Sequence, residues 1–71
     1  MSNSHIYKKI EIVGSSPNSV DEAIQNAISE AGRSHQNLDW FEVGEIRGHI
    51  EQGKVAHFQV TVKIGFRLSD G

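Results

Sequence analysis

The chain contains no cysteine. No disulfide can staple it, and no thiolate cluster can hold zinc. Proline occurs once, at Pro17, and aromatic residues are sparse at 7%. No apolar run approaches the roughly 20 residues that a membrane-spanning helix needs. There is no surplus of basic charge either: seven Lys and Arg stand against nine Asp and Glu, for a net charge of −2. A protein that lives on nucleic-acid phosphates carries the opposite balance, which argues against that class. The opening residues, MSNSHIYKK, lack the charged start and apolar stretch of a signal peptide, so the expected location is cytoplasmic. No P-loop, GxGxxG or nucleophile–base pair is readable, and no catalytic residue is assigned.

What is present is one small domain. A chain of 71 residues buries only about 60% of its unfolded surface, so its core is marginal. Its apolar content of 37%, with seven glycines, is that of a globular protein rather than a disordered tail. A domain this small and unstapled gains stability by self-association or by binding a ligand. A single domain over residues 1–71 is expected, with mobile ends at 1–4 and 69–71.

Ile6 to Val13 alternates, with Ile6, Lys8, Ile10 and Ile12 on one face, which predicts a strand with its isoleucines mostly inward. GSSPNS reads as a loop. Ser19 opens SVDE, a capping box in which Ser19 and Glu22 serve each other's amides. Val20, Ala23, Ile24, Ala27, Ile28 and Ala31 follow helical spacing and form one apolar stripe. Gly32 is a candidate terminator, with Arg33 to His35 as a frayed extra turn. Asp39 to Ile50 is strand-like but changes phase: Phe41 and Val43 share one parity, Ile46 and Ile50 the other. One extra residue reconciles them, which predicts a β-bulge at Gly44 or Glu45. Glu51 to Gly53 forms a hairpin loop. Lys54 to Leu68 is the longest strand, with Ala56, Phe58, Val60, Val62, Ile64, Phe66 and Leu68 on its apolar face.

The order β-α-β-β predicts an α+β layer, a three-stranded antiparallel sheet on one amphipathic helix. Fifteen extended residues span about 50 Å, whereas a compact chain of this length has a radius of gyration of about 11 Å. The last strand must bend hard or run past its own subunit, leaving Ile64, Phe66 and Leu68 in need of cover. A homo-oligomer is the expectation.

The face turned from the helix carries Trp40, Glu42, Arg47, His49, His57, Gln59, Thr61, Lys63 and Arg67. Centring the hairpin on Gln52 pairs Ile46 with Phe58 and Arg47 with His57, and puts Trp40 near Lys63. A lone Trp on a polar face is either a stacking platform or packing against a neighbour. The Gln59 amide suits the edge of a fused heterocycle, or is simply solvated. Arg47 suits a phosphate, or pairs with Glu42, Glu45 or a second subunit. His5, His35, His49 and His57 lie on different elements; His49 and His57 share a face, but without a third ligand they make no metal site. The residues by themselves describe an oligomeric binder of a small flat ligand.

Two segments are more specific: LDWFEVGEIRGHI and HFQVTVKIGFRL. With YKKIEIVG (Tyr7 to Gly14) they closely resemble the dodecins, a family of small flavin-binding proteins, over nearly the whole chain. The resemblance implies a β-α-β-β subunit whose sheet partly wraps its helix, assembled as a homododecamer. It implies flavins bound in pairs at two-fold interfaces, stacked between Trp40 side chains. Gln59 then matches the residue that reads the pyrimidine edge, and Arg47 a position near the FMN phosphate. Arg67 matches a retained arginine and joins the candidate flavin-site residues, with an inter-subunit ion pair as its expected contact. FMN is the implied ligand, riboflavin or another flavin an alternative, and coenzyme A a further one. The implied role is flavin storage and sequestration, not catalysis; a ligand-free structural oligomer and a flavin-dependent redox enzyme are the rivals.

Overall fold

The structure, a computed structural model, describes residues 5–69. It contains β1 (Ile6–Ser16), α1 (Val20–Ser34), β2 (Leu38–Glu51) and β3 (Lys54–Ser69). β1 and β2 both pair antiparallel with β3, so the three-stranded sheet runs β1-β3-β2. This is the expected β-α-β-β arrangement. The expected mobile ends at 1–4, 70 and 71 lie outside the described residues, but Ser69 still belongs to β3, opposite Ile6. No helix among the described residues is long and apolar enough to cross a membrane.

The junction between β1 and α1 rests on Ser16. This buried residue ends β1, three positions beyond Val13, where Ser15 and Ser16 still pair with Gln59 and Phe58. Its Oγ accepts the amides of Asn18 at 2.9 Å and Ser19 at 3.3 Å. The Ser19 amide is therefore already taken, and only half of the capping box forms. Ser19 Oγ accepts the Glu22 amide at 3.0 Å, while the Glu22 carboxylate accepts from Asn18 Nδ2 at 3.1 Å. At the other end the helix passes Gly32 and stops at Ser34. The His35 amide donates to the Ala31 carbonyl at 3.0 Å, and the His35 ring sits 4.9 Å from that of Phe66. That contact holds the last turn on the sheet, so Gly32 ends nothing.

Ala23, Ala27 and Ala31 form the buried stripe of α1, against Val60, Val62 and Ile64 of β3. Ile10, Ile12, Val20, Ile24, Ile28 and Leu38 close the rim of this core. Small side chains let the helix lie close to the strands. Gly14 makes the approach tighter still: a Cβ there would overlap the Ala23 carbonyl oxygen and lie 2.8 Å from the Ala27 Cβ.

The bulge lies where the phase change put it. Val43 faces Val62 and Ile46 faces Val60, so Gly44 and Glu45 together oppose Thr61. The hairpin register differs from the expected one. Ile46 pairs with Val60, Arg47 with Gln59 and Trp40 with Gly65. The turn has only two residues between Glu51 and Lys54. Gln52 (φ 53°) and Gly53 (φ 77°) both take left-handed backbone, as a tight hairpin turn twisted with its strands requires.

The need for cover also falls elsewhere than expected. Ile64 and Phe66 are 1% and 8% exposed within the subunit, although Leu68 is open. Ile6, expected inward, is 67% exposed because β1 begins beyond the helix. The larger uncovered surface is on the hairpin, where Phe41, Val43, Ile46, Ile50 and Val55 are exposed. The last strand runs on instead of folding back. The molecule measures 59 × 20 × 14 Å, with a radius of gyration of 14.9 Å.

Two glycine substitutions test this packing by thermal or urea unfolding. Gly14→Val costs about 2 kcal/mol or more, because its side chain meets backbone that cannot give way. Gly32→Ala, in the last turn of α1 with only Leu38 Cδ1 nearby at 3.8 Å, stabilises by about 0.4–1 kcal/mol.

Candidate functional site

Alternation along β3 places His57, Gln59, Thr61, Lys63, Gly65 and Arg67 on the face away from the helix. The bulge in β2 keeps Trp40 and Arg47 on that same face despite their different parity. Trp40 sits directly across from Gly65. Three indole atoms crowd the space a Gly65 Cβ would take, with Cδ2 2.7 Å from that position. The ring therefore lies face-on over the bare backbone of β3. Trp40 nevertheless remains 39% exposed. One ring face rests on the strand and the other is open, which is the form of a stacking platform.

Arg47 and Gln59 are cross-strand partners nearer the hairpin end. Among the described residues Arg47 makes no ion pair. Glu42, one of its expected partners, is engaged by Lys9 at 3.6 Å across β3. The opposed pair thus presents a guanidinium beside an amide, that is, anion recognition next to two donors and an acceptor.

Arg67 lies at the other end, opposite Tyr7. Its amide donates to the Asn37 carbonyl at 3.3 Å, and its side chain lines a polar cleft with Asn37, Leu38 and Asp39. Asn37, at φ 64°, turns the chain from the helix into β2. An apolar cleft of about 130 Å³ opens beside Trp40, lined by Ile28, Leu38, Phe41 and Ile64. It is smaller than the roughly 300 Å³ at which ligand pockets begin.

The four candidate residues therefore fall into two groups. Trp40 and Arg67 lie near Gly65, whereas Arg47 and Gln59 lie six residues away along β3, about 20 Å at strand rise. One subunit does not bring Trp40 and Gln59 together. Of the histidines, His35 is at the helix end, while His49 and His57 face each other across β2 and β3, rings 5.5 Å apart. No group of three His, Asp or Glu side chains able to hold a metal ion occurs among the described residues. Sequence reasoning missed Gly65. A glycine interrupting an otherwise regular alternating strand is the available signal that something approaches the backbone there.

Comparison with known proteins shows the family. The dodecin family profile matches residues 6–69. The dodecin of Thermus thermophilus is 46% identical over 65 residues, covering 92% of this chain and 94% of that protein. The structure of dodecin from Streptomyces coelicolor superposes with a TM-score of 0.90 at 52% identity, over 100% of both chains. Dodecin from Streptomyces davaonensis gives 0.88 at 54% identity, over 92% of this chain and 96% of that one. Matched in sequence from β1 to the end of β3, and in backbone over its whole length, the chain belongs to the dodecin family.

Proposed function

We propose that the protein stores and sequesters flavin, stacking paired FMN or riboflavin rings between Trp40 side chains of two subunits. The observation that carries this reading is the indole seated on Gly65 with its outer face open. Flavin binding is a general property of dodecins, and the residues present fit such a ligand. Trp40 offers a π-face, Gln59 donors and an acceptor for the ring edge, and Arg47 a guanidinium for a phosphate.

The distance between Trp40 and Gln59 makes a second subunit part of the site. Two copies related by a two-fold bring indole against indole, with Gln59 and Arg47 supplied from a neighbouring hairpin. The exposed Phe41, Val43, Ile46, Ile50 and Val55 provide apolar surface for that association, in a homododecamer. Base–aromatic stacking is worth about 1–3 kcal/mol per ring. Water exclusion makes the Gln59 amide selective, because an unmet buried partner costs about 1–3 kcal/mol. Bound flavin brings light absorption to the site. Trp40, electron-rich and in contact with the ring, quenches the excited state by donating an electron that then returns to it. Both ring faces are covered in such a sandwich, and among the described residues no acid or base accompanies Trp40 and Gln59 to move a proton. The protein acts as a binder, not an enzyme.

Titration with FMN and riboflavin, followed by flavin emission, tests the reading. Emission falls on binding to the intact protein, and FMN raises the unfolding midpoint as a ligand of the native state must. Trp40→Ala weakens both flavins about tenfold or more and restores emission. Gly65→Ala displaces the indole and acts in the same direction. Arg47→Ala weakens FMN about tenfold while leaving riboflavin much less affected. A colourless monomer whose unfolding midpoint ignores both flavins rejects the proposal.

A further inference from the structure

We propose that His49 and His57 form an anion subsite beside Arg47, which takes the phosphate ester of bound flavin when the imidazoles carry charge; this rests on the flavin reading above. The two histidines are direct cross-strand partners, one step beyond the Arg47–Gln59 pair. Their rings stack at 5.5 Å with 24° between planes. Arg47 and His49 stand two residues apart on one strand face, about 7 Å. A phosphate has three acceptor oxygens, enough for the guanidinium and imidazolium donors together.

The stack does not suit a metal ion. Nearly parallel rings send their lone pairs alongside one another instead of converging on one point, and no third ligand converges with them. Charge is the property that this arrangement changes. Imidazole is the side chain that gains or loses its charge around neutral pH. The charged groups facing the pair on β2 are Glu45, Arg47 and Glu51, and on β3 Lys54. β1 ends opposite Phe58, and its last four residues, Val13 to Ser16, carry no charge. With both rings neutral, Arg47 and Lys54 balance Glu45 and Glu51. Protonating both leaves a positive surplus in which like charges stand directly opposite across the strands, an unfavourable arrangement. Glu51 Oε2 lies 3.6 Å from His49 Nε2 and answers one of them; among the described residues no ion pair of this kind is made by His57. An anion placed against the pair and Arg47 relieves that surplus.

The sign follows directly. Charge on the rings strengthens binding of the phosphate ester relative to the uncharged alcohol, and acidification is the direction in which an imidazole gains charge. The test is to titrate FMN and riboflavin into the assembled protein by emission quenching at pH 8 and pH 5.5, at fixed ionic strength. Riboflavin is the internal reference. The FMN-to-riboflavin affinity ratio rises about fivefold more on acidification in the natural protein than in His49→Gln/His57→Gln, the range of a partly exposed ion pair. Protonation of the FMN phosphate itself is common to both proteins and cancels in the comparison. Equal pH dependence of the ratio in the two proteins overturns the subsite. If the double variant does not assemble, His57→Gln alone serves, and an unchanged ratio there overturns it equally. Should neither flavin be quenched at either pH, the flavin reading falls and the subsite with it. Should both flavins bind, Arg47→Ala still separate them and the histidine variant match the natural protein, only the subsite falls.

Discussion

A helix of 15 residues cannot cover a strand of 16. At about 1.5 Å per helical residue and 3.3 Å per strand residue, the lengths are roughly 22 and 53 Å. Much of the organisation of this subunit follows from that difference. Where α1 lies, alanines meet Val60, Val62 and Ile64 and the core closes. β2 lies to one side of the helix, so Phe41, Val43 and Ile46 stay exposed although they pair with Ile64, Val62 and Val60. Past Phe58, β2 and β3 continue as a short two-stranded arm that carries the exposed Ile50 and Val55. A two-stranded hairpin alone is marginal in water, so the arm gives the molecule a reason to associate and a shape that reaches a neighbour.

The same length separates the two halves of the candidate ligand site. The indole on Gly65 and the Arg47–Gln59 pair lie on one face of one sheet, yet too far apart to hold one ring system. A subunit of this form carries an exposed indole at one end and a guanidinium–amide pair at the other, and in the proposed reading self-association is what joins them. On that reading, stability, assembly and ligand binding are properties of one interface. The bulge at Gly44–Glu45 matters to all three, because it lets apolar residues before and after it point at the helix side while Trp40 and Arg47 stay outside.

The elements most legible in the sequence were those with an uninterrupted period. The alanine stripe of α1, the alternation of β3 and the phase change in β2 each state their own geometry. Register was harder to read. Nothing local distinguishes a turn of Gln52–Gly53 from a longer loop starting at Glu51, which shifts the register by one residue. An irregularity between His49 and Ile50 adds a second, moving Arg47 from His57 to Gln59. The junction at Ser16 was hidden because Ser15 and Ser16 read as loop by composition, although pairing to β3 keeps them in a strand. The identities of Trp40, Gln59 and Arg47 as an unusual set on a polar face were legible, and so was the distance of Trp40 from Arg47; the pairing of Arg47 with Gln59 was not, because it depends on register. Their roles came from resemblance, since a lone indole and a lone amide are compatible with packing and solvation.

The seat of Trp40 is defined by an atom that is missing. Any replacement reachable from a glycine codon by one base change adds a Cβ to the position the indole occupies. Many surface sites drift among similar side chains, but position 65 has no similar side chain to drift to. The platform therefore has no graded intermediates under mutation. Any side chain at position 65 meets the Trp40 ring first, so the indole keeps its seat or shifts from it in one step.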